Sequence, residues 1–190
     1  MNSLVNNLLD MARLQAGAVK LNRQWQPLEE VVGSALKSMG STLAQHRVSV
    51  RLPDDLPLLD FDAVLIERVL VNLLDNAVKY TPPGSRIEIG AALGERDTIA
   101  IWVEDTGPGL PAGREEEIFK KFERGQKESA TPGVGLGLAI CRAIVEAHGG
   151  NIHAEKREDG GARFVFSLPR GNPPVVDPAE NAPLNDMGCT

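Results

Sequence analysis

Two cysteines in 190 residues are too few for a disulfide framework. Cys141 sits within an apolar helical pattern, where a buried free thiol is expected, and Cys189 lies near the end of the chain. This usage fits a reducing cytoplasm. Long hydrophobic runs are also missing. No stretch approaches the roughly 18–20 apolar residues that span a bilayer, and no signal peptide opens the sequence. Positive charge is in deficit, with 20 Lys and Arg against 26 Asp and Glu. The resulting net charge of −6 excludes a general affinity for nucleic acid or anionic membrane. What is present is ordinary for a soluble globular protein: 42% hydrophobic and 24% charged residues. The length suits one domain with an appendage and a real core.

Periodicity orders the chain. Leu4, Val5, Leu8, Leu9, Met11 and Ala12 form a wide apolar stripe on a helix ending near Ala16-Gly17, too wide for a lone surface helix. "QPLEEVVGSALKSMGSTLAQ" predicts a second helix opened by Pro27, with apolar positions through Leu43. "RVSVRL" alternates as a strand, and "PDDLPLLD" turns through prolines into a short one. "FDAVLIERVLVNLLDNAVKY" is the longest helix, stopped by Thr81-Pro82-Pro83-Gly84. "SRIEIGAAL" and "TIAIWVED" flank "GERD" as a hairpin. A short helical piece follows around "REEEIFKKF", then a Gly-rich entry to a helix reaching His148. Strands "NIHAEKRE" and "ARFVFSLP" close the pattern around Asp159-Gly160-Gly161. Hairpin strands with helices on one side predict a two-layer α/β (α+β) sandwich with a mixed, mostly antiparallel sheet. Residues 171–190 are Pro- and Asn-rich and read as a disordered tail.

Three segments carry chemistry. Asn72, Asn76, Lys79 and Tyr80 share one face of the long helix, while Leu70, Leu73, Leu74, Ala77 and Val78 should face the sheet. Amide oxygens suit a hard cation and the ammonium suits phosphates; a solvated helix face is the alternative. Asp105 ends a strand and turns through Gly107-Pro108-Gly109. An ionised carboxylate there accepts from a purine amine, and an ordinary Asp-x-Gly turn is the alternative. Gly133, Gly135 and Gly137 abut a helix start, which allows close approach of phosphate to backbone N–H groups. The spacing is not G-x-G-x-x-G after a buried strand, and no Gly-Lys-Ser/Thr follows, so Rossmann and P-loop readings fail. Trp102 alternates with Ile101 and Val103 and reads as sheet packing; "REEE" and "EDGG" read as solvated charge.

In this order, "NLLDNAVKYT", "DTGPGL", "IFKKFERG" and "GVGLGLAI" resemble the N, G1, F and G2 boxes of the ATP-binding catalytic domain of sensor histidine kinases. These belong to the wider GHKL superfamily of gyrase, Hsp90, MutL and histidine kinases. "FERGQKESATPGVGLGLAICRAIVEAHGG" and "LVNNLLDMARLQAG" are most similar to the KdpD-type, potassium-regulating branch. The resemblance runs from about Gln26 to Pro169 and implies a Bergerat-type fold binding ATP and Mg²⁺. It implies Asn76 as the Mg²⁺ ligand, Lys79 at phosphate and Tyr80 beside ribose and adenine. Asp105 would take adenine N6, with Gly107 and Gly109 shaping its turn. Gly133, Gly135 and Gly137 would end a lid over Thr106 to Pro132, mobile without nucleotide. N–H groups around Leu136 and Leu138 would reach phosphate. Phe119, Phe122 and Arg124 would anchor the lid, with simple packing the alternative for both phenylalanines.

GHKL hydrolases carry a Glu as general base four residues before the metal-binding Asn. Here that position is Asn72, whose neutral amide cannot take a proton. Transfer to an imidazole needs no such base, so kinase is favoured over ATPase. The family's acceptor histidine lies on a dimeric hairpin. None of the three histidines here has that context: His46 precedes a strand, His148 ends a helix, and His153 lies in a strand. The expectation is therefore a fragment, with residues 1–22 the remnant of the hairpin's second helix plus linker and 23–170 the catalytic domain. The implied partners are ATP, the hairpin domain, a response regulator and a second copy of the full-length chain. The implied setting is the cytoplasmic side of an inner-membrane sensor. A nucleotide-binding module without turnover and an anti-sigma-type serine kinase are the alternatives.

Overall fold

Short-range pattern becomes long-range pairing in a computed structural model describing residues 20–95, 97–110, 113, 115–119 and 136–172. Strand β1 (Gln24–Gln26) is not evident from its sequence. It exists because it pairs antiparallel with β3 (Leu59–Phe61), 35 residues away by the Gln26–Leu59 to Gln24–Phe61 register. Helix α1 (Leu28–Met39) starts at Pro27 and buries Leu28, Val31, Val32, Ala35 and Met39. The helix expected to run on through Leu43 breaks at Gly40 (φ 31°, ψ −110°), and Gly40–Leu43 continues as a 3₁₀ turn. Helix α2 (Ala63–Tyr80) is capped by Asp62, whose side chain accepts from Leu65 N–H at 3.2 Å. It ends at Thr81, which is extended (φ −117°, ψ 145°), as a residue before proline prefers.

The main sheet has five strands in the order β2 (Arg47–Arg51), β4 (Arg86–Leu93), β5 (Thr98–Asp105), β7 (Ala162–Pro169) and β6 (Ile152–Lys156). Only β2–β4 is parallel; the other three pairs are antiparallel. Alternate residues of the central strands, among them Ile87, Ile89, Ile101, Val103, Phe164 and Phe166, are buried on one face. Helices α2 and α3 (Gly137–Ala147) pack against that sheet, and α1 packs on α2. Two layers result, as the strand-and-helix pattern predicts.

Among the described residues, the other face carries no helix. There the Trp102 indole occupies the space over Gly90, where an added Cβ would stand 2.2 Å from the ring. The Arg163 guanidinium lies 4.4 Å above that ring. Trp102 is sheet packing, on the helix-free side. Cys141 is fully buried in α3, and burial pushes its thiol up to about 12, which keeps it inert. Among the described residues, no helix is long and apolar enough to cross a membrane. The expected N-terminal helix, Phe122, Arg124, Gly133, Gly135 and the tail from residue 173 lie outside the described residues.

Candidate functional site

Three elements converge at one end of the helix-covered face. Helix α2 brings its polar stripe because its opposite side, with Leu70, Leu73, Leu74 and Ala77, is committed to the core. Strand β5 ends at Asp105, and α3 begins at Gly137. Contacts tie the three together. A Cβ on Gly107 would stand 2.6 Å from the Thr81 methyl, so the turn after β5 lies directly on the end of α2. A Cβ on Gly137 would stand 3.8 Å from Asn72 Oδ1, so α2 also touches the start of α3.

Asp105 is 5% exposed. Its Oδ1 accepts from Gly107 N–H at 2.8 Å and from Ala162 N–H at 3.4 Å. Among the described residues, Oδ2 has no such partner. Burial raises the carboxyl above its ordinary value, opposed by the Gly107 and Ala162 N–H groups and by the Arg157 guanidinium. Two backbone N–H groups thus orient the carboxylate through one of its oxygens. Gly109 has φ 80°, a conformation costly for any residue with a Cβ, and a Cβ there would lie 2.9 Å from Gly161 O.

Asn72 and Asn76 are half-buried, and Lys79 and Tyr80 are exposed. Asn72 Nδ2 is buried without a hydrogen-bond partner among the described residues. Lys79 pairs with Asp75 one turn back. Its ammonium is thus held along the helix rather than directed at an open site. Helix α3 has no side-chain cap: Leu136 is its N-cap, and the first helical bond runs from Ile140 N–H to Leu136 O. The N–H groups of Gly137, Leu138 and Ala139 come before it. Phe119, in a 3₁₀ turn (Glu117–Phe119), is buried edge-on to Phe164, with centroids 6.3 Å apart. Arg142 of α3 lies 4.6 Å over the Phe119 ring and pairs with Glu116 at 2.9 Å. Phe119 is thus packed at the base of the segment that joins β5 to α3.

The sequence places the β6–β7 turn but does not show its contact with Asp105. "EDGG" is more than solvated charge, because its Gly161 packs on Asp105 and the next residue, Ala162, donates to the carboxylate. A paired glycine followed by a small residue inside a hairpin was the available signal. A concavity of about 490 Å³ lies on the helix-free face, walled by charged side chains including Arg51, Glu88, Glu104 and Lys156. Its walls are acidic and basic in equal number and offer little apolar surface to a purine. Its lining includes Glu104, Arg157 and Arg163, so it borders the Asp105 end of β5 from the helix-free side.

Residues 61–172 match the family model of histidine kinase-, DNA gyrase B- and HSP90-like ATPases. The chain is 53% identical over 175 residues to the sensor protein KdpD of Escherichia coli (strain K12), covering 92% of this chain and 19% of that protein. It is 41% identical over 140 residues to the adaptive-response sensory kinase SasA of Nostoc sp. (strain PCC 7120), covering 74% of this chain and 34% of that one. It therefore spans between about a fifth and a third of these relatives. Among solved structures, full-length ShkA in complex with AMPPNP superposes with a TM-score of 0.77 at 29% identity, covering 88% of this chain and 35% of that one. The catalytic domain of histidine kinase ThkA does so at 0.68 and 29%, covering 80% of this chain and 97% of that one. With motifs, topology and sequence in agreement, the chain belongs to the histidine kinase-, DNA gyrase B- and HSP90-like ATPase family.

Proposed function

We propose that the chain is the ATP-binding catalytic part of a two-component sensor histidine kinase. It transfers the γ-phosphoryl group of ATP to a histidine on a separate hairpin domain. The observation that carries this reading is Asp105: a buried carboxylate with Oδ1 fixed by two backbone N–H groups and Oδ2 without a protein partner among the described residues. Such a group accepts from the adenine amine and repels the carbonyl that guanine presents there. Family membership and relatives named as sensor proteins support the same assignment. Resemblance to the KdpD-type branch favours potassium or osmotic signalling, with a response regulator downstream. It also favours a dimeric, membrane-anchored parent whose catalytic part faces the cytoplasm.

The roles are those the resemblance to the family's motifs implies, with Phe122, Arg124, Gly133 and Gly135 outside the described residues. Asp105, Gly107 and Gly109 hold adenine, with Tyr80 beside the ribose. Asn76 and Lys79 face the phosphates, Lys79 leaving Asp75 to do so. The uncapped N–H groups near Leu136, Gly137 and Leu138 meet the phosphate oxygens, with Gly133 and Gly135 allowing close approach. Phe119, Phe122 and Arg124 anchor and steer the segment that covers the nucleotide. Among the described residues, no group of three His, Cys, Asp or Glu side chains could hold a metal ion by itself. That donor set fits Mg²⁺, which keeps water and phosphate ligands and would need only the Asn76 amide oxygen from the protein. When bound, the ion neutralises phosphate charge. In the transfer, the bond from the γ-phosphorus to the bridging oxygen breaks as one forms to an imidazole nitrogen, and ADP leaves. The chain's part is positioning and charge stabilisation rather than covalent chemistry. Asn72, a neutral amide, leaves no base at the position from which water would be activated.

The test is incubation with labelled ATP, with and without the hairpin supplied as a separate protein, followed by acid. Acid-labile label on the hairpin alone is expected, and weakly, since the reaction lacks the effective concentration of a covalent link. Asn76→Ala should abolish it without unfolding the protein. Label on this chain itself would contradict the reading, and acid-stable label would indicate a serine kinase instead. Binding without transfer to any hairpin would leave a nucleotide-binding module.

A further inference from the structure

Asp105 is the last residue of β5, and the side chain that grips its main chain comes from outside the four motifs. Arg157, which follows β6, donates from Nη1 to the Asp105 carbonyl oxygen at 3.1 Å. Its Nη2 stands 3.5 Å from Glu104 Oε1, and Glu104 Oε2 lies 3.3 Å from Arg163 Nε, an ion pair without hydrogen-bond geometry. The Arg157 side chain is 23% exposed, that of Glu104 15% and that of Arg163 34%, so the cluster is partly shielded from water along the wall of the concavity. The turn carrying it is closed on itself: Arg157 N–H donates to Gly161 O and Gly160 N–H to Arg157 O, each at 3.2 Å.

The same turn meets Asp105 twice more. A Cβ on Gly161 would stand 1.9 Å from the Asp105 carbonyl oxygen, and Gly161 has φ 95°, so only glycine fits. Ala162 N–H then reaches the carboxylate. A planar guanidinium can hold a main-chain carbonyl and a carboxylate at once, which a single ammonium does with less directional control. Its charge also favours the ionised form of Asp105 against the effect of burial.

We propose that Arg157 is a positioning residue for adenine recognition: it locks the Asp105 main chain so that Oδ2 is presented to the exocyclic amine of the base. It does not itself touch nucleotide. The inference rests on Asp105 being the adenine acceptor, and the experiment separates the two. Calorimetry on the full chain compares ATP with purine riboside triphosphate, which lacks the 6-amino group, for wild type, Asp105→Asn, Arg157→Gln, Arg157→Lys and Glu104→Gln. Wild type should prefer ATP, and Asp105→Asn should lose that preference. Arg157→Gln should weaken ATP binding about 5- to 10-fold, the scale of one hydrogen bond, while leaving the analogue within about twofold. Arg157→Lys, which keeps the charge but not the planar fork, should restore only part of the loss. Glu104→Gln, which loosens the second anchor of the guanidinium, should show the same selectivity loss at smaller size, even if Arg157→Gln fails to fold. Equal weakening of both ligands, or of neither, by the Arg157 and Glu104 variants would overturn the proposal and leave Arg157 a purely structural tie. An ATP preference that survives in Asp105→Asn would overturn the adenine-acceptor reading, and this inference with it.

Discussion

Asp105 is held in an environment that works against its own charge. Burial pushes the carboxyl above its usual value, while Gly107, Ala162 and Arg157 pull it back. A carboxylate raised in the folded state weakens folding at neutral pH, and that cost is relieved as pH falls through the raised value. Ligand recognition has the opposite sign, because only the ionised form is purely an acceptor. Asp105→Asn should therefore leave the thermal midpoint unchanged or slightly higher. It should nevertheless lower ATP affinity roughly 10- to 150-fold, as expected for about 1.5–3 kcal/mol. Calorimetric binding alongside thermal melts checks both directions. Wild-type affinity should also weaken on acidification above the ordinary Asp range, and the variant's should not.

Helix α3 is fastened to α2 at the end opposite the site. His148 caps α3; its Nδ1 donates to Ile144 O at 2.8 Å, and its Nε2 accepts from Asp62 N–H at 3.1 Å. Only the neutral imidazole with its proton on Nδ1 satisfies both. Arg23 donates to Ala147 O and Asn22 N–H to Asp62 Oδ2, so the segment before β1 is tied to the same junction. Burial lowers the His148 pKa, helped by Arg23 and opposed by the Ile144 carbonyl, Asp62 and Asp60. The unfolded state thus takes up its proton first. Stability is fully present above about pH 6.5 and declines as pH falls towards and through the lowered folded value. Urea midpoints measured from pH 7.5 down to 5.5 should fall. His148→Ala should lose about 1–3 kcal/mol at pH 7.5, through the unpaired Asp62 N–H, and should lack this component of the pH dependence.

At the scale of the molecule, α1 belongs to the body that carries the site, although the family match begins at residue 61. Leu28, Val31, Val32 and Ala35 join the same buried cluster as Ile87, Ile101 and Phe166. A cavity in α1 should therefore weaken the whole unit rather than detach a piece. Leu28→Ala is expected to cost about 2–5 kcal/mol. It should do so in one cooperative urea transition, seen alike by tryptophan fluorescence and circular dichroism. Two separated transitions would show that α1 is an independent unit.

Periodicity alone was enough for α2, α3 and the β4–β5 and β6–β7 hairpins, because each pattern is local and each buried face is written in neighbouring residues. It also set Asn72 and Asn76 on one helix face and Asp105 at a strand end, while grouping them as one site came from the resemblance of the motifs and not from periodicity. Strand β1 was not legible: three residues show no alternation, and it forms only by pairing with β3 across the chain. Nor could sequence show that Lys79 is taken up by Asp75, or that Trp102 lies on the helix-free face. Both depend on which groups packing leaves nearby. The grip of Arg157, Gly161 and Ala162 on Asp105 spans more than fifty residues of chain. Only the antiparallel register of β5 with β7, which sets Glu104 opposite Arg163, brings that turn onto the carboxylate. Local chemistry named the carboxylate, and tertiary pairing decided what holds it in place.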